Sequence, residues 1–149
     1  MSQQMWPLDI RGSWITDARG RKIIMKGLNL AGTSKLPRRP DGSSYRPESL
    51  ADPQSVSFVG RPFPLSEADD HYALIAGGGF KFLRFLISWE AVEHQGPGIY
   101  DREYLDYLEA VVARAADHGL GIWIDPHQDA WSRWTGGDGC VADGGHRGG

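Results

Sequence analysis

The sequence predicts an α/β fold built on a parallel sheet. Two apolar runs of strand length, residues 80–87 and 120–125, show almost no alternation of polar and apolar positions. A segment with helical signals precedes each run, at residues 66–76 and 101–119, and an earlier strand-like run covers residues 27–30. Strands that are apolar on both faces belong to parallel sheets covered by helices, so we expect right-handed crossovers between them.

The N-terminal residues predict a β-hairpin. Strand-like runs at residues 11–16 and 22–26 flank a Gly-containing turn at residues 17–20. The second run continues through residues 27–30, which makes it the first strand of the parallel sheet.

Capping and acidic residues predict where the two helices begin. Ser66 is placed as the N-cap of the first helix, because acidic residues follow it and favour the positive end of the helix dipole. Asp101 is placed as the N-cap of the second helix, which Gly119 ends. The apolar positions of the second helix have the spacing of one helical face: Tyr104, Leu105, Leu108, Val111, Val112 and Ala115.

Length and composition exclude several classes of protein. The 149 residues correspond to about one domain, and the formal charge of −3 argues against a nucleic-acid partner. No apolar run approaches the roughly 20 residues that cross a bilayer. The first ten residues lack the basic and apolar regions of a secretory signal, and the single Cys140 can form no internal disulfide. We therefore expect a cytoplasmic protein.

Two segments differ in composition from the rest. Residues 33–65 hold six of the nine prolines, which block helices and central strands, so this segment is predicted to be a long irregular loop. Residues 140–149 form a Gly-rich tail that we predict to be disordered. Residues 1–139 are then the structured portion.

Arg84 interrupts an apolar strand, and a charge on a buried face needs an acidic or hydrogen-bonding partner. It is either half of a structural ion pair or a residue that orients a catalytic carboxylate. The nearby Glu90 and Glu93 are expected to be solvated loop residues. Trp89, which follows the same strand, either stacks on a ligand or covers the end of the sheet.

A polar cluster follows the last strand, where parallel folds place their functional residues. His127, Gln128 and Asp129 offer the donors and acceptors that suit a polyol, although such a cluster is also common in a solvated loop. Trp131 follows and suits either a sugar ring or a structural cover. Asn29, after the first strand, is either a turn residue or a site residue. His127 and Asp129 are too few ligands for a metal.

Three segments together resemble glycoside hydrolase family 5. They are KGLNLAGTSKLP at residues 26–37, FKFLRFLISWEAVEHQGPGIYDREYLDYLE at residues 80–109 and GIWIDPHQDAWSRWTGGDG at residues 121–139. The likeness is to the fungal branch that cleaves steryl glucosides and glucosylceramide. It implies the N-terminal part of a (β/α)8 barrel, with the hairpin closing the barrel floor, and a retaining mechanism without a cofactor.

The resemblance also implies roles for individual residues. Arg84 matches the family arginine that supports the catalytic nucleophile, and His127 matches a histidine near the sugar. Asn29, Gln128, Asp129 and Trp131 lie in matching stretches. The expected partner is a β-glucoside linked to a lipid, with peripheral contact to a membrane. The loop at residues 33–65 either shapes an entry for the apolar aglycone or is a disordered insertion.

The two catalytic carboxylates of the family are missing. A (β/α)8 barrel takes about 250 residues, and a retaining glycosidase needs an acid/base and a nucleophile. The family acid/base follows an asparagine after the fourth strand, and the sole asparagine here is Asn29. We therefore expect a truncated chain without activity of its own. Two alternatives are a non-catalytic carbohydrate-binding or regulatory fragment, and a metal-dependent barrel hydrolase with His127 and Asp129 as partial ligands.

Overall fold

The computed structural model describes residues 7–40 and 54–127. Two sheets are formed: a two-stranded antiparallel ribbon and a three-stranded parallel sheet with the order β3-β4-β5. The elements are β1 (Asp9–Arg11), β2 (Trp14–Thr16), β3 (Gly27–Leu30), α1 (Ala68–Gly77), β4 (Phe82–Ser88), α2 (Trp89–Glu93), α3 (Arg102–Asp117) and β5 (Gly121–His127). Single 3-10 turns cover Gly32–Lys35 and Leu65–Glu67.

The parallel sheet confirms the predicted α/β class. In its register, Asn29 of β3 pairs with Arg84 of β4, which pairs with Trp123 of β5. These three residues form one row across the sheet. Because all three strands run the same way, their carboxyl ends lie at one edge, where Ser88 pairs with His127.

Helix α3 begins and ends as predicted. The Asp101 carboxylate accepts a hydrogen bond from the Tyr104 amide at 2.9 Å, which satisfies one of the unpaired donors of the first turn. Gly119 follows the helix with φ of +69°, the left-handed conformation that glycine adopts without strain.

The predicted cap of helix α1 is wrong. Ser66 lies inside the 3-10 turn, in which the Glu67 amide donates to the Pro64 carbonyl at 2.9 Å. Helix α1 begins only at Ala68, and no side chain caps it. The turn holds Ser66 in helical backbone geometry, whereas a capping serine needs an extended one.

The short helix α2 was not predicted. The Ser88 hydroxyl caps it by accepting from the Ala91 amide at 3.2 Å. Glu90 and Glu93 are therefore buried, so the expectation of solvated loop residues is wrong. The Glu93 carboxylate accepts a hydrogen bond from the Gly98 amide at 3.1 Å, which closes the connection from α2 toward α3.

The N-terminal hairpin differs from the predicted one. The run at residues 11–16 is split by a turn at Gly12, so that β1 pairs with β2. The expected second limb contributes only an isolated bridge between Lys22 and Thr16 and a hydrogen bond from the Ile23 amide to the Ile15 carbonyl at 2.8 Å.

Asp17 is the physical reason for this difference. Its buried carboxylate accepts from the Arg19 amide at 2.9 Å, and from the Arg21 amide at 2.9 Å and side chain at 2.7 Å. Burial acts to raise the pKa of Asp17, but the hydrogen bonds from Arg21 and Arg19 outweigh it and hold the pKa below its usual value. The chain thus folds into a tight turn instead of continuing the ladder.

The described end of the long loop forms part of the core. Val56, Phe58 and Phe63 are buried against α1, α3 and the sheet. Apart from a bridge between Arg39 and Ser57 and the two 3-10 turns, the described part of the loop is irregular. It is nevertheless packed, so the alternative of a disordered insertion is wrong for residues 54–65, while residues 41–53 lie outside the described range.

Helices α1 and α3 are joined by a charged cluster. The Asp69 carboxylate accepts from His118 at 3.0 Å and pairs with Arg114. The hydrogen bond from His118 and the charge of Arg114 lower the pKa of Asp69 below its usual value.

Tyr107 ties the loop to α3. Its hydroxyl lies 2.7 Å from the Phe63 carbonyl and 2.9 Å from the Arg61 carbonyl, and burial raises its pKa to about 12. We expect Tyr107→Phe to lower the free energy of unfolding by about 1–2 kcal/mol, because the Phe63 and Arg61 carbonyls lose the single O–H that they share. Urea unfolding followed by circular dichroism measures this loss. The control is Tyr100→Phe at a half-exposed ring; an equal change in both variants would contradict the prediction.

Candidate functional site

Arg84 and Asp125 form an ion pair across strands β4 and β5. The Arg84 Nη2 lies 2.8 Å from the Asp125 Oδ2. Arg84 pairs in register with Trp123, so its side chain reaches two register positions toward the carboxyl edge to meet Asp125. The acidic partner that the sequence required for Arg84 is thus Asp125. With 44% of its side chain exposed, Arg84 also remains open to further contacts.

His127 completes a three-residue cluster with this ion pair. Its Nδ1 lies 3.2 Å from the Asp125 Oδ2 and 3.4 Å from the Arg84 Nη2. The carboxylate can only accept and the guanidinium can only donate, so Nδ1 meets Asp125 when it carries a proton and Arg84 when it does not. Asp125 and His127 are two residues apart on β5 and so share one face of the strand.

Asn29 lies beside the cluster, on the neighbouring strand. It lines an open groove of about 480 Å³ together with Arg84 and Trp123. The other lining residues are Met25, Gly27, Leu28, Phe82 and Leu83. The fold therefore brings Asn29, Arg84 and His127 to one sheet, although Asn29 belongs to the groove and His127 to the carboxyl edge.

The remaining predicted site residues cannot be placed in the same way. Gln128, Asp129 and Trp131 lie outside the described residues, so their roles stay predictions. Trp123 was not predicted to be a site residue. Its position two residues before Asp125 and four before His127 could have indicated that it shares their face of the strand. On a strand, residues two apart share one face.

The described residues offer little to a metal ion. Within residues 7–40 and 54–127, no three His, Cys, Asp or Glu side chains gather at one point. The Asp125 carboxylate, which lies nearest to His127, already pairs with the Arg84 cation, and a positive charge beside a carboxylate opposes binding of a second cation. Asp129, the other ligand of the metal hypothesis, lies outside the described residues.

No helix in the described part of the chain is long and apolar enough to span a bilayer.

The alternation of parallel strands and helices, with polar residues at the strand ends, occurs in (β/α)8 barrels and in doubly wound folds. Residues 44–144 match the family described as Cellulase (glycosyl hydrolase family 5). This chain belongs to glycoside hydrolase family 5.

Similar proteins give a finer comparison. A glucosylceramidase of Rhizopus delemar is 43% identical over 137 residues, which cover 90% of this chain and 20% of that protein. An ergosteryl-beta-glucosidase of Saccharomyces cerevisiae is 36% identical over 130 residues, covering 83% of this chain and 17% of the relative. The predicted resemblance to fungal proteins of this branch is confirmed.

A solved structure supports the same placement. Sterylglucosidase 1 of Cryptococcus neoformans superposes with a TM-score of 0.80 at 36% identity, covering 87% of this chain and 18% of that one. The predicted partial (β/α)8 barrel is confirmed, since three parallel strands are present and the described residues do not close a barrel. The chain spans about a fifth of the length of the relatives it matches.

Proposed function

We propose that this chain is part of a retaining β-glycosidase that hydrolyses glucosides of lipids. The observation that carries the proposal is the cluster of Arg84, Asp125 and His127 at the carboxyl end of two barrel strands. In this family such strand ends face the substrate, and the names of the relatives point to glucosylceramide and ergosteryl glucoside as substrates.

Arg84 is proposed to position the catalytic nucleophile. Its contacts to Asp125 and His127 come from a single terminal nitrogen, Nη2. The guanidinium carries further N–H donors on Nη1 and Nε, in a rigid planar fork that suits a second carboxylate. A fixed positive charge beside the nucleophile keeps it ionised, which is the state that attacks the sugar.

His127 is proposed to bind a hydroxyl of the sugar. The contact of its Nδ1 with the Asp125 carboxylate orients the ring, while Arg84 balances the charge of Asp125. A pre-oriented imidazole suits a sugar hydroxyl better than an apolar group, because its ring nitrogens can form hydrogen bonds.

Both catalytic carboxylates of the family are expected on later strands, so the 149-residue chain alone is predicted to be inactive. A lipid-linked substrate also suggests peripheral contact with a membrane, and a cytoplasmic location stays a prediction.

A hybrid protein tests the proposal. In it, the matching segment of this chain replaces its counterpart in the Rhizopus delemar glucosylceramidase, which supplies the remaining strands. We expect the hybrid to hydrolyse an aryl β-glucoside and glucosylceramide, whereas the 149-residue chain releases no glucose from either. The intact Rhizopus protein is the control. A folded hybrid that releases no glucose, beside an active control, would count against the proposal.

A further inference from the structure

A second, apolar pocket lies beside the polar cluster. It has a volume of about 230 Å³ and sits between α2, the connection to α3 and the carboxyl end of β5. We name it the Trp89 pocket. Its lining residues are Ile87, Ser88, Trp89, Val92, Glu93, Tyr100, Pro126 and His127.

The Trp89 pocket adjoins the candidate sugar site at His127. The His127 ring lines the pocket and also contacts Asp125 and Arg84. Trp89 begins α2 directly after β4, and Ser88, which caps this helix, pairs in register with His127. Trp89 and His127 therefore line the same pocket at the carboxyl edge of the sheet.

Two of the polar residues that line the pocket, Ser88 and Glu93, form hydrogen bonds elsewhere. Ser88 accepts from the Ala91 amide and Glu93 accepts from the Gly98 amide, so both face their own helix or loop. Trp89 and Tyr100 expose 57% and 48% of their surface. Two large exposed rings around an apolar space are typical of a ligand site rather than of a core.

We infer that the Trp89 pocket binds the part of an apolar aglycone nearest to the glycosidic oxygen, with Trp89 and Tyr100 as specificity-determining residues. This inference rests on the proposed function and adds where the aglycone lies. A volume of about 230 Å³ is small for a whole lipid, so the pocket holds only the first rings of a sterol or the first carbons of a sphingoid chain.

The test compares glucosides that share the sugar and differ in the aglycone. In the hybrid, Trp89→Ala is expected to lower kcat/KM for octyl β-glucoside by about 10- to 100-fold, mainly through KM, because a large apolar contact is lost. The value for methyl β-glucoside should stay within about twofold. Trp89→Phe should recover part of the loss. The control Leu74→Ala removes an exposed apolar side chain of α1, outside this pocket, and should change neither value.

Cholesteryl β-glucoside and glucosylceramide then distinguish the two sources of aglycone. A larger loss on either one supports the inference and identifies the aglycone. An equal loss on methyl, octyl and both lipid glucosides would overturn the inference while leaving the proposed function standing. Should Trp89→Ala fail to fold, Tyr100→Ala and Trp89→Phe answer the same question.

A binding experiment keeps the inference testable if the hybrid lacks activity. The 149-residue chain is titrated with octyl β-glucoside below its micellar concentration, and the indole N–H signals are followed by NMR, with Trp89 assigned from Trp89→Phe. A saturable shift of the Trp89 signal that glucose alone does not produce supports the inference. An unmoved Trp89 signal, or the same shift with glucose alone, overturns it.

Discussion

Arg84→Met in the hybrid is expected to lower kcat for the aryl β-glucoside by about 100- to 1,000-fold, the usual cost of removing one fixed electrostatic contact in an active site. KM should change little, because the proposed target of Arg84 is the nucleophile and not the sugar. The loss of the guanidinium also leaves the Asp125 carboxylate without the cation that lies 2.8 Å away. An unbalanced negative charge then lies close to His127 and to the sugar that His127 is proposed to bind.

Two further variants separate a catalytic role from a structural one. Arg84→Lys keeps the charge but loses the planar fork, so it should restore only part of kcat. Arg114→Met breaks a comparable ion pair, that of Arg114 with Asp69 between α3 and α1, which lies away from the candidate site. If Arg84→Met and Arg114→Met have the same kcat while both remain folded, Arg84 is only half of a structural ion pair. Steady-state kinetics and thermal melts decide between these outcomes.

The need of Arg84 for a partner could be predicted from the sequence, but the identity of Asp125 as that partner could not. A charge in an apolar strand required a partner, and the alternation of Trp123, Asp125 and His127 placed two polar groups on one face of the last strand. The register between the two strands was the missing information. It depends on how the whole βαβ unit packs, and no local pattern in either strand specifies it.

Short-range competition explains the elements that were mispredicted. Ser66 has the composition of a cap, but Pro64 begins a turn that includes it. Asp17 captures Arg19 and Arg21 and bends the chain where the ladder was expected to continue. Helix α2 has only five residues, too few for a periodic pattern, and Ser88 was its one sequence signal.

Gly27 lies where β3 approaches β4 most closely. Gly27 pairs with Phe82, and a Cβ added there would overlap the Phe82 carbonyl oxygen and lie 2.8 Å from its carbon. These atoms belong to the backbone of a central strand and cannot rotate away. We expect Gly27→Ala to lower the free energy of unfolding of the hybrid by about 3 kcal/mol, since overpacking here separates the two strands.

The same separation should reach the candidate site. Asn29 lies two residues along β3 from Gly27 and pairs with Arg84, so displacement of β3 widens the groove that these residues share. Gly77→Ala is the matched control. The added Cβ meets no atom within 4 Å, and alanine favours the helix that contains it, so this variant should be unchanged or more stable by up to about 1 kcal/mol. Urea midpoints compare the two variants. Equal midpoints would mean that β3 tolerates a side chain at its closest approach to β4. This outcome would contradict the close strand pairing that aligns Asn29 with Arg84.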